Sequence, residues 1–197
     1  MVKVKICGLT RREDVEAAVA LGADAVGFVF EPTSPRCLTS EQGLKLAMGL
    51  PPFVTRVGVS GTTHDNIPYE LLDAVQAITF KMPHVPRTMQ VYRRKPDATV
   101  AEVIEAIGPA DALVLDAFSS KGLGGTGEKI DWGVAAEIVA ESPKPVILAG
   151  GLNPENVKEA IHRVHPYAVD VASGVEISPG IKDPELIKRF IQNARGA

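Results

Sequence analysis

Residues 145–157 read PVILAGGLNPENV, an apolar run followed by two glycines and then by asparagine and proline. The run PVILAG (145–150) has the length and the β-branched content of a buried strand. Asn153 before Pro154 is typical of a helix start, with an N-cap residue and then proline at the first helical position. The stretch therefore predicts a strand and a helix joined by a glycine-rich turn.

The same succession of strand and helix recurs along the chain. The other predicted strands are VKVKIC (2–7), AVGFVF (25–30), FVTRVGV (53–59), TMQVYR (88–93), ALVLDA (112–117) and AVDVAS (168–173), with AITF (77–80) as a weaker eighth. Most of these runs are apolar on both faces, which is typical of parallel strands covered by helices. Eight such units in 197 residues predict an α/β fold, a (β/α)8 TIM barrel forming a single domain over residues 1–197. A doubly wound open sheet is the alternative fold.

Helix starts are predicted between these strands by capping residues. They are the pairs Thr10 with Glu13, Thr39 with Gln42 and Thr99 with Glu102, and Asp183 before Pro184. In each pair that begins with threonine, the threonine side chain accepts a hydrogen bond from the amide of the second residue. The side chain of the second residue accepts one from the threonine amide.

The composition favours small-molecule ligands. A net charge of −3 gives no general attraction to nucleic acid or to an anionic membrane, and no apolar run approaches the roughly 20 residues that span a bilayer. The two cysteines, Cys7 and Cys37, are too few for a disulfide framework and suit a reducing, cytoplasmic setting. The histidines show no metal-ligand spacing, so no metal site is expected.

Polar residues that could carry chemistry follow the ends of predicted strands, where the active sites of (β/α)8 barrels lie. Cys7 ends the first strand and is either a buried structural cysteine or, once ionised, a general base. Asp116 closes an apolar strand, where partial desolvation would favour a protonated acid, and a turn cap is the alternative. Arg36 follows the second strand and either clamps a carboxylate or lies on the surface.

Two glycine-containing turns, after the seventh and eighth strands, predict a phosphate site. Gly150 and Gly151 allow the backbone to approach a ligand closely. Ser173 and Gly174 add a hydroxyl and amides at the neighbouring strand end. Tight turns without a ligand are the alternative.

The segment SSKGLGGTGEKIDW (119–132) contains a G-x-G-x-x-G pattern over 122–127. Glu128 stands where a phosphate-binding loop needs lysine, and the pattern follows the sixth strand instead of the first strand of a dinucleotide-binding unit. It predicts a mobile loop over the site. A nicotinamide-dependent oxidoreductase is the alternative, but the acidic residue required about 20 positions on is matched only by Glu141, at the end of a helical pattern.

Several of these motifs together resemble the phosphoribosylanthranilate isomerases, a family of tryptophan-biosynthesis enzymes. The motifs are KICGLT (5–10), ADAVGFVFEPTSPR (23–36), LVLDAF (113–118) with the glycine-rich loop and DW (131–132), VILAGGLNPENV (146–157) and VDVASGVE (169–176). The resemblance implies a cofactor-free barrel that carries out an Amadori rearrangement of N-(5-phosphoribosyl)anthranilate to 1-(2-carboxyphenylamino)-1-deoxyribulose 5-phosphate. It also implies Cys7 as general base, Asp116 as general acid, Arg36 at the anthranilate carboxylate and the two glycine turns at the phosphate. A monomer or a homodimer is expected.

One segment departs from the family pattern. The family's fourth strand ends in Gln-Leu-His-Gly, whereas AVQAITFKMPHVPRTMQ (74–90) keeps Val75 and Gln76 and lacks the His-Gly pair. Because a barrel without a fourth strand would expose two unpaired edges, we predict a short strand at or beside 77–80. Little or no helix should lie behind it, which leaves apolar side chains exposed there. This shortened fourth βα unit makes a non-catalytic barrel that binds a sugar phosphate the alternative function.

Overall fold

The chain folds as a closed barrel of eight parallel strands surrounded by helices, in a computed structural model that describes residues 1–61, 67–79, 87–94, 98–117 and 131–197. The barrel strands are β1 Lys3–Ile6, β2 Ala25–Val29, β3 Thr55–Val59, β4 Ala74–Ala77, β5 Thr88–Arg94, β6 Ala112–Ala117, β7 Val146–Leu148 and β8 Ala168–Val171. The α-helices are α1 Arg12–Ala20, α2 Ser40–Ala47, α3 Val100–Glu105, α4 Trp132–Glu141, α5 Val157–Val164 and α6 Pro184–Arg195. The other described elements are two 3₁₀ turns, Tyr69–Leu71 and Ser173–Val175, and a hairpin of β9 Glu176–Ser178 with β10 Ile181–Lys182.

Each barrel strand pairs in parallel with the next, and β8 closes the ring by pairing with β1. The register of the closing pair runs from Lys3 opposite Ala168 to Ile6 opposite Val171. Closure removes the unpaired edges that an open sheet would expose. The predicted (β/α)8 barrel is therefore confirmed, and the open-sheet alternative is wrong.

The main apolar core lies between the strands and the surrounding helices. On β1, Val4 and Ile6 are fully buried in this core. Because successive strand side chains face opposite ways, the alternate residues Lys5 and Cys7 point into the barrel. A smaller apolar cluster inside the barrel consists of Val91, Ala112, Val114, Ile147, Ala149 and Ala168.

The third and fourth units form the shortened part of the barrel. Strand β4 begins at Ala74, three residues before the predicted run AITF, and pairs with both β3 and β5. The prediction of a short fourth strand beside 77–80 is therefore confirmed. The 3₁₀ turn Tyr69–Leu71 is the helical element described between β3 and β4, and residues 62–66 of that connection lie outside the described residues. The predicted lack of a helix behind β4 concerns residues 80–86, which lie outside the described residues.

The predicted exposure of apolar side chains beside β4 is wrong for the described residues. All residues of β4 are buried, and Ile67 and Leu72 are buried in the main core. Gly58 in β3 permits this packing, because a Cβ there would lie 2.6 Å from Leu72 Cδ1. The segment around the 3₁₀ turn therefore covers this side of the barrel, as a helix covers it elsewhere.

Two predicted capping boxes and one helix start that contains proline are confirmed. The side chains of Thr39 and Thr99 each accept from the amide three residues on, and their own amides donate to the side chain of that residue, at the starts of α2 and α3. Asp183 accepts from two amides at the start of α6, with Pro184 in the first turn.

Two other predicted helix starts are wrong. Thr10 does not cap α1, which begins at Arg12, because its hydroxyl donates to the carbonyl of Gly180 at 2.5 Å. Asn153 accepts from the amides of a turn that precedes α5. That helix begins only at Val157. At Thr10 a contact with a distant segment replaces the local capping bond, whereas at Asn153 the side chain caps the turn ahead of the helix instead of the helix itself.

The β9–β10 hairpin follows β8 and was absent from the sequence-based prediction. Its antiparallel register joins Ser178 with Ile181 and Glu176 with Lys182. Gly180 turns the chain between the two strands with a φ of +83°. Because the hairpin follows the carboxyl end of a barrel strand, it carries Glu176 and Lys182 to the barrel mouth.

The described helices are short. The longest of them, α6, has 12 residues, whereas a bilayer span needs about 20. In the described part of the chain, no helix has both the length and the apolar character that crossing a membrane requires.

Candidate active site

A cleft of about 130 Å³ opens at the carboxyl ends of the barrel strands. All predicted site residues line it, namely Cys7, Arg36, Asp116, Gly150, Gly151, Ser173 and Gly174. They follow or end β1, β2, β6, β7 and β8, and the carboxyl ends of parallel barrel strands meet at one mouth. The structure therefore brings together groups that are far apart in the sequence.

Cys7 follows β1 and is buried, with 7% of its surface exposed. Its amide donates to the carbonyl of Val171 at 2.8 Å, which ties it to β8. Gly27 on β2 leaves room for the sulfur, because a Cβ at that position would lie 2.7 Å from Cys7 Sγ. Burial raises the pKa of the Cys7 thiol, an effect that Lys5 opposes and Asp170 reinforces. The neutral thiol is therefore the resting form at neutral pH.

A buried ion pair lies inside the barrel next to Cys7. Lys5 Nζ donates to Asp170 Oδ2 at 2.7 Å and to Gln76 Oε1 at 2.9 Å. The side chains of Lys5 and Asp170 are each only 6% exposed. Burial alone would lower the pKa of Lys5, but the charges of Asp170 and Cys7 raise it above its ordinary value. Sequence reasoning missed this group, although the alternation in β1 puts Lys5 and Cys7 on one face.

Asp116 lies near the end of β6 with its side chain 18% exposed. It is opposite Arg93 of β5 in the barrel register, and Arg93 Nε lies 3.8 Å from Asp116 Oδ2. Arg93 Nε is buried and has no hydrogen-bond partner among the described residues. Asp116 thus has the partial burial that the sequence suggested, together with a neighbouring cation that it did not.

Arg36 is buried at 8% exposure and does not lie on the surface. Its Nε and Nη2 donate to the two carboxylate oxygens of Glu176 at 2.8 and 2.5 Å. Gly8, with a φ of +71°, makes room for the Arg36 side chain, because a Cβ at that position would collide with Arg36 Cδ. The guanidinium fork predicted to face a ligand therefore already holds a protein carboxylate, and only its remaining N–H groups are left for a ligand.

Lys182 of β10 links the Arg36–Glu176 ion pair to the backbone at the end of β8. Its Nζ donates to Glu176 Oε1 at 2.7 Å and to the carbonyl of Ala172 at 2.9 Å. Burial would raise the pKa of Glu176, but the bonds from Arg36 and Lys182 hold that pKa below its ordinary value. Sequence reasoning missed both residues. Glu176 ends the motif VDVASGVE, but no local signal pairs it with Arg36.

The two glycine turns pack against each other. Gly174 lies so close to the carbonyl of Leu152 that any Cβ would collide with it. Gly150 and Gly151 have φ values of +81° and +67°, a region that favours glycine. The amides of Gly151, Ser173 and Gly174 donate to no backbone carbonyl of the described ranges. Amides grouped in this way suit the binding of an anion such as phosphate.

Asn156 holds the first of these turns in shape. Its Nδ2 donates to the carbonyl of Gly151 at 2.9 Å, and its Oδ1 accepts from the amide of Asn153 at 2.9 Å. Asn156 is buried, so these bonds are shielded from water. The sequence motif indicated Asn153 as a helix cap and gave no signal for Asn156.

Comparison with known proteins identifies the family. Residues 4–193 match the family model of N-(5'-phosphoribosyl)anthranilate (PRA) isomerase. The chain belongs to this family. An N-(5'-phosphoribosyl)anthranilate isomerase from Pseudomonas fluorescens (strain Pf0-1) is 42% identical over 208 residues, which cover 98% of each chain.

Solved structures of phosphoribosylanthranilate isomerases have the same fold. The enzyme from Thermotoga maritima matches with a TM-score of 0.86 and 38% identity over all of both chains. A phosphoribosyl anthranilate isomerase in complex with reduced 1-(o-carboxyphenylamino)-1-deoxyribulose 5-phosphate matches with a TM-score of 0.82 and 37% identity, again over all of both chains. The resemblance identified from the sequence motifs is therefore confirmed.

The departure of this chain from other phosphoribosylanthranilate isomerases does not open the barrel. Val75 and Gln76, the two residues kept from the family motif, both lie in β4, and Gln76 binds Lys5 in the barrel interior. The shortened unit therefore retains a strand that closes the barrel and a side chain that reaches the ion pair beside Cys7.

Part of the predicted site lies outside the described residues. The glycine-rich loop over 118–130 belongs to that part. Within the described ranges, no group of three or more His, Cys, Asp or Glu side chains is arranged to hold a metal ion.

Proposed function

We propose that this chain catalyses the Amadori rearrangement of N-(5'-phosphoribosyl)anthranilate to 1-(2-carboxyphenylamino)-1-deoxyribulose 5-phosphate, as an isomerase of tryptophan biosynthesis. The observation that carries the proposal is the convergence of Cys7, Asp116, Arg36 and the two glycine turns on one cleft. Membership in the isomerase family supports the same reaction.

Asp116 is the proposed general acid. It donates a proton to the ring oxygen of the ribose, the bond between that oxygen and C1 breaks, and the nitrogen lone pair forms a Schiff base with C1. Partial burial, with 18% of the side chain exposed, favours the protonated carboxyl, and the Arg93 guanidinium at 3.8 Å opposes this effect.

Cys7 is the proposed general base. Its thiolate removes the proton from C2, which gives an enolamine, and C1 then takes up a proton as the C2 ketone forms. C2 is oxidised and C1 is reduced within one molecule, so the electrons balance without an external acceptor. We therefore propose a cofactor-independent aldose–ketose isomerase, in the class of intramolecular oxidoreductases.

The anionic ends of the substrate would be bound by different donors. The amides of Gly151, Ser173 and Gly174 suit the phosphate, because grouped backbone N–H groups bind phosphate without a lysine. The N–H groups of Arg36 not used by Glu176 suit the anthranilate carboxylate. Local donors of this kind explain how a protein with a net charge of −3 holds a multiply charged anion.

Loss of phosphoribosylanthranilate fluorescence on addition of purified protein tests the proposal. Turnover that follows enzyme concentration supports the isomerase. The alternative is a barrel that binds a sugar phosphate without catalysis, and it predicts binding of a reduced product analogue with no loss of substrate fluorescence. The alternative was suggested by the shortened fourth unit, and β4 closes the barrel in spite of that shortening. The isomerase is therefore the function we propose.

Two further properties are proposals of the same kind. A biosynthetic enzyme that acts on a phosphorylated intermediate is expected in the cytoplasm, where cell fractionation would find it. The chain is expected to be a monomer or a homodimer, and sedimentation equilibrium distinguishes the two.

A further inference from the structure

Lys5 is a buried cation that the proposed mechanism does not use. We propose that Lys5 is a positioning residue for Cys7: its ammonium, fixed by Asp170 and Gln76, supplies the positive charge beside which the Cys7 thiolate forms. This inference rests on the proposed function, because it concerns the base of that reaction.

The geometry brings the end of the Lys5 side chain close to the Cys7 sulfur. A Cβ on Gly27 would lie 2.7 Å from Cys7 Sγ and 3.1 Å from Lys5 Cε, so both atoms border one gap that only glycine leaves open. Lys5 Nζ is held on its other sides by Asp170 at 2.7 Å and by Gln76 at 2.9 Å. An ammonium carries one more N–H donor than these two acceptors use.

The charged groups that act on the Cys7 thiol are Lys5, Asp170, Lys182 and Arg36. Lys182 and Arg36 are both paired with Glu176, and Asp170 is paired with Lys5. Burial is the largest influence on the pKa of the thiol and raises it, and Lys5 is the largest influence in the opposite direction. Lys5 is therefore the cation best placed to favour the thiolate.

The same arrangement excludes Lys5 as the base. A base must be without its proton at the start of proton abstraction, but the charges of Asp170 and Cys7 keep the pKa of Lys5 above its ordinary value. Lys5 thus stays protonated and contributes charge, while Cys7 accepts the proton from the substrate.

The experiment measures the ionisation of Cys7 directly, by the rate of iodoacetamide alkylation as a function of pH. It uses the full chain with Cys37→Ala, because Cys37 is the other free thiol and is exposed. In this background Lys5→Met should displace the alkylation profile to higher pH by about one to three pH units, since a neighbouring opposite charge shifts a pKa by about that much. Alkylation at neutral pH should then be at least about tenfold slower.

Two further variants keep the test interpretable. Lys5→Met leaves Asp170 buried without its counter-ion, so Lys5→Met/Asp170→Asn replaces the pair with two neutral side chains and should still show a profile at higher pH than the background. Lys3→Met is the matched control, because Lys3 lies on the same strand with its side chain 54% exposed and paired with Asp24. It should leave the profile unchanged.

The pH dependence of kcat/KM completes the test. In folded variants that keep Cys7, the limb of the kcat/KM profile that reports ionisation of the Cys7 thiol should move to higher pH together with the alkylation profile. An unchanged alkylation profile in Lys5→Met overturns the role of Lys5, and so does a shift in alkylation that kcat/KM does not follow. Failure of the proposed function looks different: wild type would then leave phosphoribosylanthranilate fluorescence unchanged, while the alkylation profiles would still report the effect of Lys5 on the thiol.

Discussion

Arg36 and Glu176, 140 residues apart in the sequence, form a two-bond ion pair in which Nε and Nη2 donate to the two carboxylate oxygens at 2.8 and 2.5 Å. Lys182 donates to the same carboxylate from the other strand of the hairpin. The pair therefore sets the orientation of the guanidinium before any ligand arrives.

Removal of the Glu176 charge should weaken binding of the substrate carboxylate. In Glu176→Gln, Arg36 loses a charge-assisted partner, and we expect KM to rise about tenfold with a smaller change in kcat. Arg36→Lys should also mainly raise KM, because a lysine cannot form the two-bond fork. Steady-state kinetics on both variants measure this. A substrate analogue without the carboxylate should bind wild type and both variants about equally, and a large difference for that analogue would show that Arg36 has another role.

Removal of the Cys7 thiol should nearly abolish turnover. A general base contributes roughly 10²- to 10⁴-fold or more to the chemical step, so Cys7→Ala should lose at least that much of kcat and bind a product-like ligand within a few fold. Cys7→Ser keeps the size of the side chain and supplies a far weaker base, and it should be similarly impaired. Cys37→Ala is the matched control, because that thiol is exposed. Turnover like that of wild type in Cys7→Ala would end the assignment.

Asp116→Asn should remove activity while the circular dichroism spectrum and the urea midpoint remain close to those of wild type. In the wild type, the reacting form carries a proton on Asp116 and none on Cys7, so kcat/KM should be bell-shaped in pH, with a carboxyl on the acid side and a thiol on the alkaline side. Because burial raises the pKa of Cys7, the alkaline limb should lie above the usual cysteine range. Asp111→Asn, at the other end of β6, should remain active. A profile with no fall on either side between about pH 3 and 11 would argue against the pair.

Glu176 should link folding stability to acid pH. Its pKa is lower in the folded protein than its ordinary value, because Arg36 and Lys182 favour the carboxylate against the effect of burial. Its stabilising contribution is therefore complete above the ordinary glutamate pKa and is lost as the pH falls through the lowered value. The free energy of unfolding of wild type in urea should fall on acidification below about pH 5, and it should fall less steeply in Glu176→Gln. If the free energy of unfolding fell equally steeply with pH in wild type and Glu176→Gln, this linkage would be contradicted.

Gly174→Ala should disturb the contact between the two glycine turns. Its Cβ would collide with the backbone carbonyl of Leu152, which cannot move aside as a side chain can. We expect a loss of about 1–3 kcal/mol in the free energy of unfolding and a higher KM. Gly133→Ala is the matched control, because its nearest neighbour is the flexible carboxylate of Asp131 at 3.1 Å. Its stability should stay within about 0.5 kcal/mol of wild type, and an equal loss in both variants would mean that the turn contact is unimportant.

Local patterns predicted the helix starts correctly only where the loops make no competing contact. Thr39 and Thr99 cap their helices because each box needs only residues three positions apart. Thr10 has the same pattern, but its hydroxyl binds the carbonyl of Gly180 in the hairpin. A capping signal cannot report that a segment 170 positions away will arrive at the same point.

The alternation of strands and helices and the residues that face the cleft were predictable from the sequence, because they depend on periodicity and on which residues follow each strand; closure of the barrel against an open sheet was not. The charge environment of those residues depends on the folded chain. The pairing of Arg36 with Glu176 and of Lys5 with Asp170 joins elements at opposite ends of the chain, and the low exposure of these side chains exists only once the barrel has closed. The ionisation of Cys7 follows from that burial and those neighbours, and no local stretch of sequence encodes either one.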